Sequence, residues 1–194
     1  MAEIGYLELV IGPMFSGKTN YLIDIYNKYL KLTNYEILVI NNLLDTRYSE
    51  NEVVSHSGNK IPCIRIEELE SLLYSDIKLD KYQVILINEA QFFRDLIPFV
   101  TMMLERNKRV YISGLDGDFQ QNKFGYILDL IPLCDSITKL KANCMNCKKE
   151  NCAIFSHRII NNNNNQTLIG SQESYIAVCR NCYNKLTAYS NNND

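Results

Sequence analysis

Eight residues near the start of the chain, Gly12-Pro13-Met14-Phe15-Ser16-Gly17-Lys18-Thr19, have the types and spacing needed to hold a phosphate chain. They fit G-x-x-x-x-G-K-[ST], in which glycines let the backbone curl so that its N–H groups point inward at phosphate oxygens. Lys18 supplies a cation for the β- and γ-phosphates, and the Thr19 hydroxyl can ligate Mg²⁺. The plainer alternative is a glycine-bounded turn with a solvated lysine. The flanks argue against it: an apolar run, Leu7 to Ile11, precedes the loop, and a helical period follows from Lys18 to Leu32.

A second chemical position follows the apolar run Val84 to Ile87, which ends in Asn88-Glu89. A strand end beside a phosphate loop is where a metal-directed acid and a base for a hydroxyl or water proton are found. Glu89 is the only carboxylate there. Asn88 is neutral and can orient a metal-bound water but adds no charge. The competing reading makes Asn88 a helix cap and Glu89 a first-turn acid. Asp45-Thr46-Arg47-Tyr48 also follows a strand, although on its own it reads as a polar turn. Gly114 to Phe119 forms a glycine-bounded loop after a fourth strand. Phe92, Phe93, Phe119 and Phe124 are candidates to stack on a base, or plain core.

Cys144-x-x-Cys147 and Cys179-x-x-Cys182 form two knuckles able to close a tetrahedral, structural Zn²⁺ site. The spacer between them exceeds the usual ~15–20 residues, so hairpin strands must bring the pairs together. Cys152 has the wrong spacing for a ligand. Cys63 and Cys134 read as small hydrophobes. Seven cysteines, an odd number clustered late in the chain, argue against a disulfide framework and for a reducing, cytoplasmic setting.

The elements that position these residues alternate in type. Short apolar runs at 7–11, 37–40, 84–87 and 110–112 are separated by helical stretches at 18–32, 66–74 and 90–105. Tyr126 to Leu130 reads as a helical turn and Ser136 to Leu140 as a last strand. The pattern predicts an α/β domain with a mostly parallel sheet covered by helices on both faces. After Lys141 the texture changes, which divides the chain into a phosphate-binding domain, 1–141, and a cysteine-bearing domain, 142–194. The run Asn161 to Asn165 reads as a solvated loop tip. With 20 basic against 22 acidic side chains, net charge −2, no basic field exists to attract nucleic acid. No apolar run is long enough to span a membrane, and the first residues lack a secretory pattern.

The segments GPMFSGKT, DTRYS, INEAQFF, GLDGDFQ with KFG, CMNC and IGSQESYIAVCRNCY together closely resemble the type II thymidine kinases, in that family's order and over nearly the whole chain. The resemblance implies a RecA-like P-loop fold with a small zinc-ribbon and lasso-loop domain. It implies transfer of the ATP γ-phosphoryl group to the 5′-hydroxyl of thymidine with Mg²⁺, a homotetramer, and inhibition by dTTP. It assigns the base role to Glu89, and the phosphate and metal end to Lys18, Thr19, Asp45 and Arg47. The nucleoside pocket falls to Met14, Leu115, Phe119 and Phe124, with Leu168, Ile169, Gly170 and Tyr175 as the lasso; structural zinc falls to Cys144, Cys147, Cys179 and Cys182. Asn88 stands where the family usually has Asp, so Mg²⁺ should lean more on Thr19 and the phosphates, and Asn88→Asp should tighten its binding. The asparagine run is expected to lengthen the lasso without touching the base. The alternatives are a P-loop ATPase with no nucleoside acceptor and a zinc-ribbon nucleic-acid binder.

Overall fold

A computed structural model describes residues 4–32, 34–45, 51–55, 57–159 and 174–191. Six strands form one parallel sheet: β1 (Tyr6–Ile11), β2 (Ile37–Asn42), β5 (Ile64–Ile66), β6 (Val84–Ile87), β7 (Arg109–Gly114) and β8 (Ser136–Lys139). Their order is β5-β2-β6-β7-β1-β8. The hairpin β3 (Glu52–Val54) and β4 (Lys60–Pro62) lies between β2 and β5 in the chain.

The runs in β2 and β6 have no polar alternation because both sheet faces are covered, while β1 carries the buried Glu8, whose carboxylate accepts from the Tyr6 and Tyr21 hydroxyls. Leu7, Leu9, Ile85, Ile87, Val110 and Ile112 enter one core, packed by helix α2 (Leu96–Glu105) and the 3₁₀ segments. Val84, Leu86, Val39 and Tyr111 enter a second core under helix α1 (Lys18–Leu30), which contributes Leu22, Ile23 and Tyr29. Alternation along each strand sends neighbours to opposite faces, so one register serves both cores. A third, smaller core joins Ala142, Cys144, Ala153, Ala177, Val178, Cys182 and Tyr183. It is built on the antiparallel pair β9 (Phe155–Arg158) and β10 (Tyr175–Val178) and helix α3 (Arg180–Asn191).

Two expected helices are different. The stretch 90–105 is not one helix: a 3₁₀ turn, Ala90–Phe92, is separated from α2 by Phe93 in an extended conformation (φ −85°, ψ 118°). That extension drives the Phe93 ring fully into the first core. The stretch 66–74 is the end of β5 followed by a 3₁₀ segment, Leu69–Tyr74, whose Leu69 and Leu72 are buried. Tyr126 to Leu130 becomes a 3₁₀ segment, Ile127–Leu133, which carries Pro132 inside it.

The parallel sheet sends the ends of β1, β2, β6 and β7 to one edge, the usual ligand edge of such a sheet. Residues 12–19, 45, 88–89 and 115 all follow those ends. Phe99, wholly buried in the first core, tests this packing. Phe99→Ala is expected to lower stability by about 3–5 kcal/mol in urea unfolding followed by circular dichroism.

Candidate active site

The phosphate loop leaves β1 at Gly12, whose φ of 149° is unfavourable for a side chain. A Cβ there would lie 2.5 Å from the Leu140 carbonyl oxygen, just past β8. Glycine is therefore required both by the turn and by the neighbouring strand end. The loop closes at Gly17 (φ 87°), the N-cap of α1, which has no side-chain cap. The first N–H groups of α1 consequently keep their capacity to bind an anion. Ser16 donates to the Pro13 carbonyl at 2.8 Å and braces the loop. Lys18 is only 9% exposed, and its Nζ donates to the same carbonyl at 2.6 Å. Thr19 stands beside it in the first helical turn.

Glu89 follows β6 in a left-handed conformation (φ 51°, ψ 43°), which turns the chain sharply off the sheet. It begins no α-helix, and Asn88 does not act as a side-chain cap. Glu89 is 9% exposed and accepts a 2.6 Å hydrogen bond from Gln91 Nε2. Gln91 Oε1 in turn accepts from the Leu115 N–H at 3.0 Å. Gln91 is thus clamped between the candidate base and the loop after β7. Gly125 allows this: a Cβ there would lie 2.2 Å from the Gln91 carbonyl oxygen. In the sheet, β6 and β1 are separated only by β7. Glu89 and the phosphate loop therefore spring from strand ends about 10 Å apart, two strand spacings.

Asn88 is buried, and its amide is engaged on both sides. Ser113 Oγ donates to its Oδ1 at 2.9 Å, and its Nδ2 donates to Asn41 Oδ1 at 3.1 Å. Asp45 accepts from Asn41 Nδ2 at 3.1 Å. Arg47 and the lasso residues Leu168, Ile169 and Gly170 lie outside the described residues, as do Thr46, Tyr48 and Asn161 to Asn165.

The small unit is joined to the loop. The Met14 N–H donates to Ser156 Oγ on β9 at 3.0 Å, and Phe15 packs against the third core. Tyr175 opens β10, and its hydroxyl accepts from Arg158 Nη2 at 2.7 Å. The Arg158 guanidinium lies 3.8 Å over the Phe119 ring, a cation–π contact. Tyr183 donates to the Phe119 carbonyl at 2.7 Å. Phe124 meets Phe92 edge-on at 5.6 Å. Phe119 and Tyr175 are thus brought together through Arg158, which has no motif to flag it. Gln91 sits inside the INEAQFF segment, but its clamp depends on contacts remote in sequence.

The four knuckle cysteines converge, with sulfur atoms all within 4.8 Å of one another. Zn–S bonds of about 2.3 Å in a tetrahedron require sulfurs roughly 3.8 Å apart, so the cluster fits the metal. Burial opposes ionisation of Cys144, but backbone N–H groups of Cys147, Cys179 and Asn146 outweigh it and bring the thiol to about 6. Cys182 feels the Asn146 side chain, which lowers its pKa; burial and the other three sulfurs prevail and push it up to about 11. A cation would relieve that crowding of negative charge. Cys152 packs beside the quartet, with its thiol on the Lys149 carbonyl at 3.3 Å. Cys63 and Cys134 are partly buried against the two larger cores.

The family model "TK: Thymidine kinase" matches residues 5–183. The chain belongs to the thymidine kinase family. It is 41% identical over 182 residues to the thymidine kinase of Sheeppox virus (strain KS-1), covering 93% of this chain and 98% of that one. It is 38% identical over 180 residues to the thymidine kinase of Mycoplasma mobile, covering 92% and 87%. The thymidine kinase of Amsacta moorei entomopoxvirus is 38% identical over 182 residues, covering 92% and 97%. The thymidine kinase match thus spans the phosphate loop, Glu89 and the cysteine quartet together. No helix among the described residues is long and apolar enough to cross a membrane.

The quartet makes a direct prediction. Protein purified with Zn²⁺ should release roughly one metal ion per chain when its thiols are blocked, read with a chromophoric chelator. Cys179→Ser should retain less than half of that amount, and a metal content unaffected by the substitution would contradict the assignment.

Proposed function

We propose that this chain is a thymidine kinase in which Glu89 removes the proton from the 5′-hydroxyl of thymidine while the phosphate loop holds ATP. The observation that carries the reading is the pairing of a nearly buried Lys18 with a nearly buried Glu89, at strand ends two strands apart in a thymidine kinase family chain. The sugar oxygen attacks the γ-phosphorus, the bond to the β-phosphate oxygen breaks, and ADP leaves. The hydroxyl proton passes to the Glu89 carboxylate.

Gly12 to Thr19 would cradle the triphosphate through backbone N–H groups and the α1 dipole. Lys18 would exchange its Pro13 carbonyl for phosphate oxygens. Thr19 would hold Mg²⁺, with Asp45 and Arg47 at the same end, and the ion would supply neutralisation of phosphate charge. Gln91 holds the Glu89 carboxylate in place, so the base is oriented before the acceptor arrives. Met14, Leu115, Phe119, Phe124 and Tyr175 would surround the nucleoside, with Leu168, Ile169 and Gly170 closing over the base. Water excluded by such a closure favours transfer to sugar over hydrolysis.

The division into an ATP-binding domain, 1–141, and a zinc and lasso domain, 142–194, belongs to this reading. It is supported by the third core, which gathers Ala142, Ala153, Ala177, Val178 and Tyr183 around Cys144 and Cys182. Zn²⁺ would fix both ends of the nucleoside-gripping segment. Homotetramer assembly, inhibition by dTTP and a cytoplasmic location complete the proposal on the strength of family membership.

Transfer of γ-phosphate label from ATP with thymidine, deoxycytidine and deoxyguanosine in competition tests the reading. Label is expected on thymidine alone, with ADP release dependent on it. ADP release at the same rate without any nucleoside would instead establish an ATPase.

A further inference from the structure

Three polar side chains cross the sheet at one level, just beyond its apolar layer. Ile40 pairs with Ile87, and Ile87 with Ile112. The next residues on these strands are Asn41, Asn88 and Ser113, exposed by 2%, 2% and 1%. Two residues before them are Val39, Leu86 and Tyr111, which pack under α1 with Leu22 and Ile23. Residues two apart on a strand share a face. The polar rung therefore lies on the α1 face, at the end of the sheet from which the phosphate loop leaves.

Its hydrogen bonds run in a single direction. Ser113 Oγ donates to Asn88 Oδ1, Asn88 Nδ2 donates to Asn41 Oδ1, and Asn41 Nδ2 donates to Asp45 Oδ2. Every donor points toward the one carboxylate in the series. Aligned donors of this kind polarise one another, and each buried amide needs its partner to offset lost hydration. The backbone around Asp45 is braced as well. Its N–H donates to the Asn42 carbonyl at 3.0 Å, and Arg65 Nη2 donates to both the Leu43 and Asp45 carbonyls at 2.7 Å. Asn42 Oδ1 accepts from the Leu44 N–H at 2.9 Å.

We propose that Asn88 and Asn41 are positioning residues, a hydrogen-bonded relay that fixes the Asp45 carboxylate as the acid offered to the magnesium–ATP complex. This rests on the ATP-binding reading above. Asn88 then acts through Asn41 and does not face the metal. The sign expected for Asn88→Asp is reversed by this arrangement. A carboxylate at position 88 can accept from Ser113 but cannot donate to Asn41. Asn41 must turn its NH₂ toward it, which leaves the Asn41 carbonyl oxygen against Asp45 and repels that carboxylate.

Calorimetric titration of the full chain with ATP, in Mg²⁺ and separately in EDTA, tests the relay without any nucleoside present. Asn88→Asp and Asn41→Ala should each weaken binding in Mg²⁺ by about tenfold, the loss of a charge-assisted hydrogen bond, with less than twofold change in EDTA. In an Asp45→Ala background, Asn41→Ala should cost less than twofold further, because its target is gone. Tighter or unchanged magnesium–ATP binding in Asn88→Asp would overturn the proposal. So would an equal cost of Asn41→Ala with and without Asp45, or equal losses in Mg²⁺ and EDTA. Wild-type chain that binds ATP but leaves thymidine unlabelled would sink the kinase reading alone.

Discussion

Lys18 is nine-tenths buried, and a lysine so withdrawn from water must have its ammonium paired, a requirement that shapes the loop after β1. Lys18 turns back to the Pro13 carbonyl of its own loop. The loop can bring that carbonyl within reach because Gly12 passes against the end of β8 where no side chain fits, and because Gly17 takes a left-handed conformation at the start of α1. A triphosphate would offer that ammonium charged acceptors, and the first N–H groups of α1, which have no side-chain cap, suit the same kind of ligand. The buried cation and the helix start together suit the loop to an anion, and the parallel sheet fixes how far from it Glu89 stands.

The second constraint is mechanical. The segment proposed to grip the nucleoside is held at its ends by β9 and β10, a two-stranded pair that is marginal by itself. It is steadied by the cysteine cluster on one side and by contacts with the phosphate loop and the segment after β7 on the other: Met14 to Ser156, Phe15 in the third core, and Tyr183 to Phe119. Tyr183 follows directly on Cys182, so the metal knuckle and the Phe119 contact share one helical turn. These contacts tie the β9–β10 unit to the phosphate loop and to the segment after β7.

Much of this could be read from residue types. The phosphate loop and the two cysteine pairs announce themselves because their chemistry demands fixed spacing, and continuous apolar runs mark strands buried on both faces. Other features were hidden for physical reasons. The stretch 90–105 has helical periodicity throughout, yet burial of Phe93 between two helical pieces breaks it, and the left-handed turn at Glu89 sets that break up. Strand order and the register that aligns Asn41, Asn88 and Ser113 arise from pairings 25 and 47 residues apart. Asn88 in isolation looked like a weakened metal site; only its neighbours reveal an amide engaged sideways. Gln91 and Arg158 were likewise invisible, because each works through a contact that no local pattern encodes.

The central claim is that Glu89 takes the acceptor proton, and the single-turnover rate of phosphoryl transfer to thymidine in Glu89→Gln tests it most directly. The amide keeps the size of the side chain and removes its basicity. The account predicts a rate lower by about 10²–10⁴-fold, with ATP affinity within roughly twofold of the wild type. A rate equal to that of the wild type would contradict it.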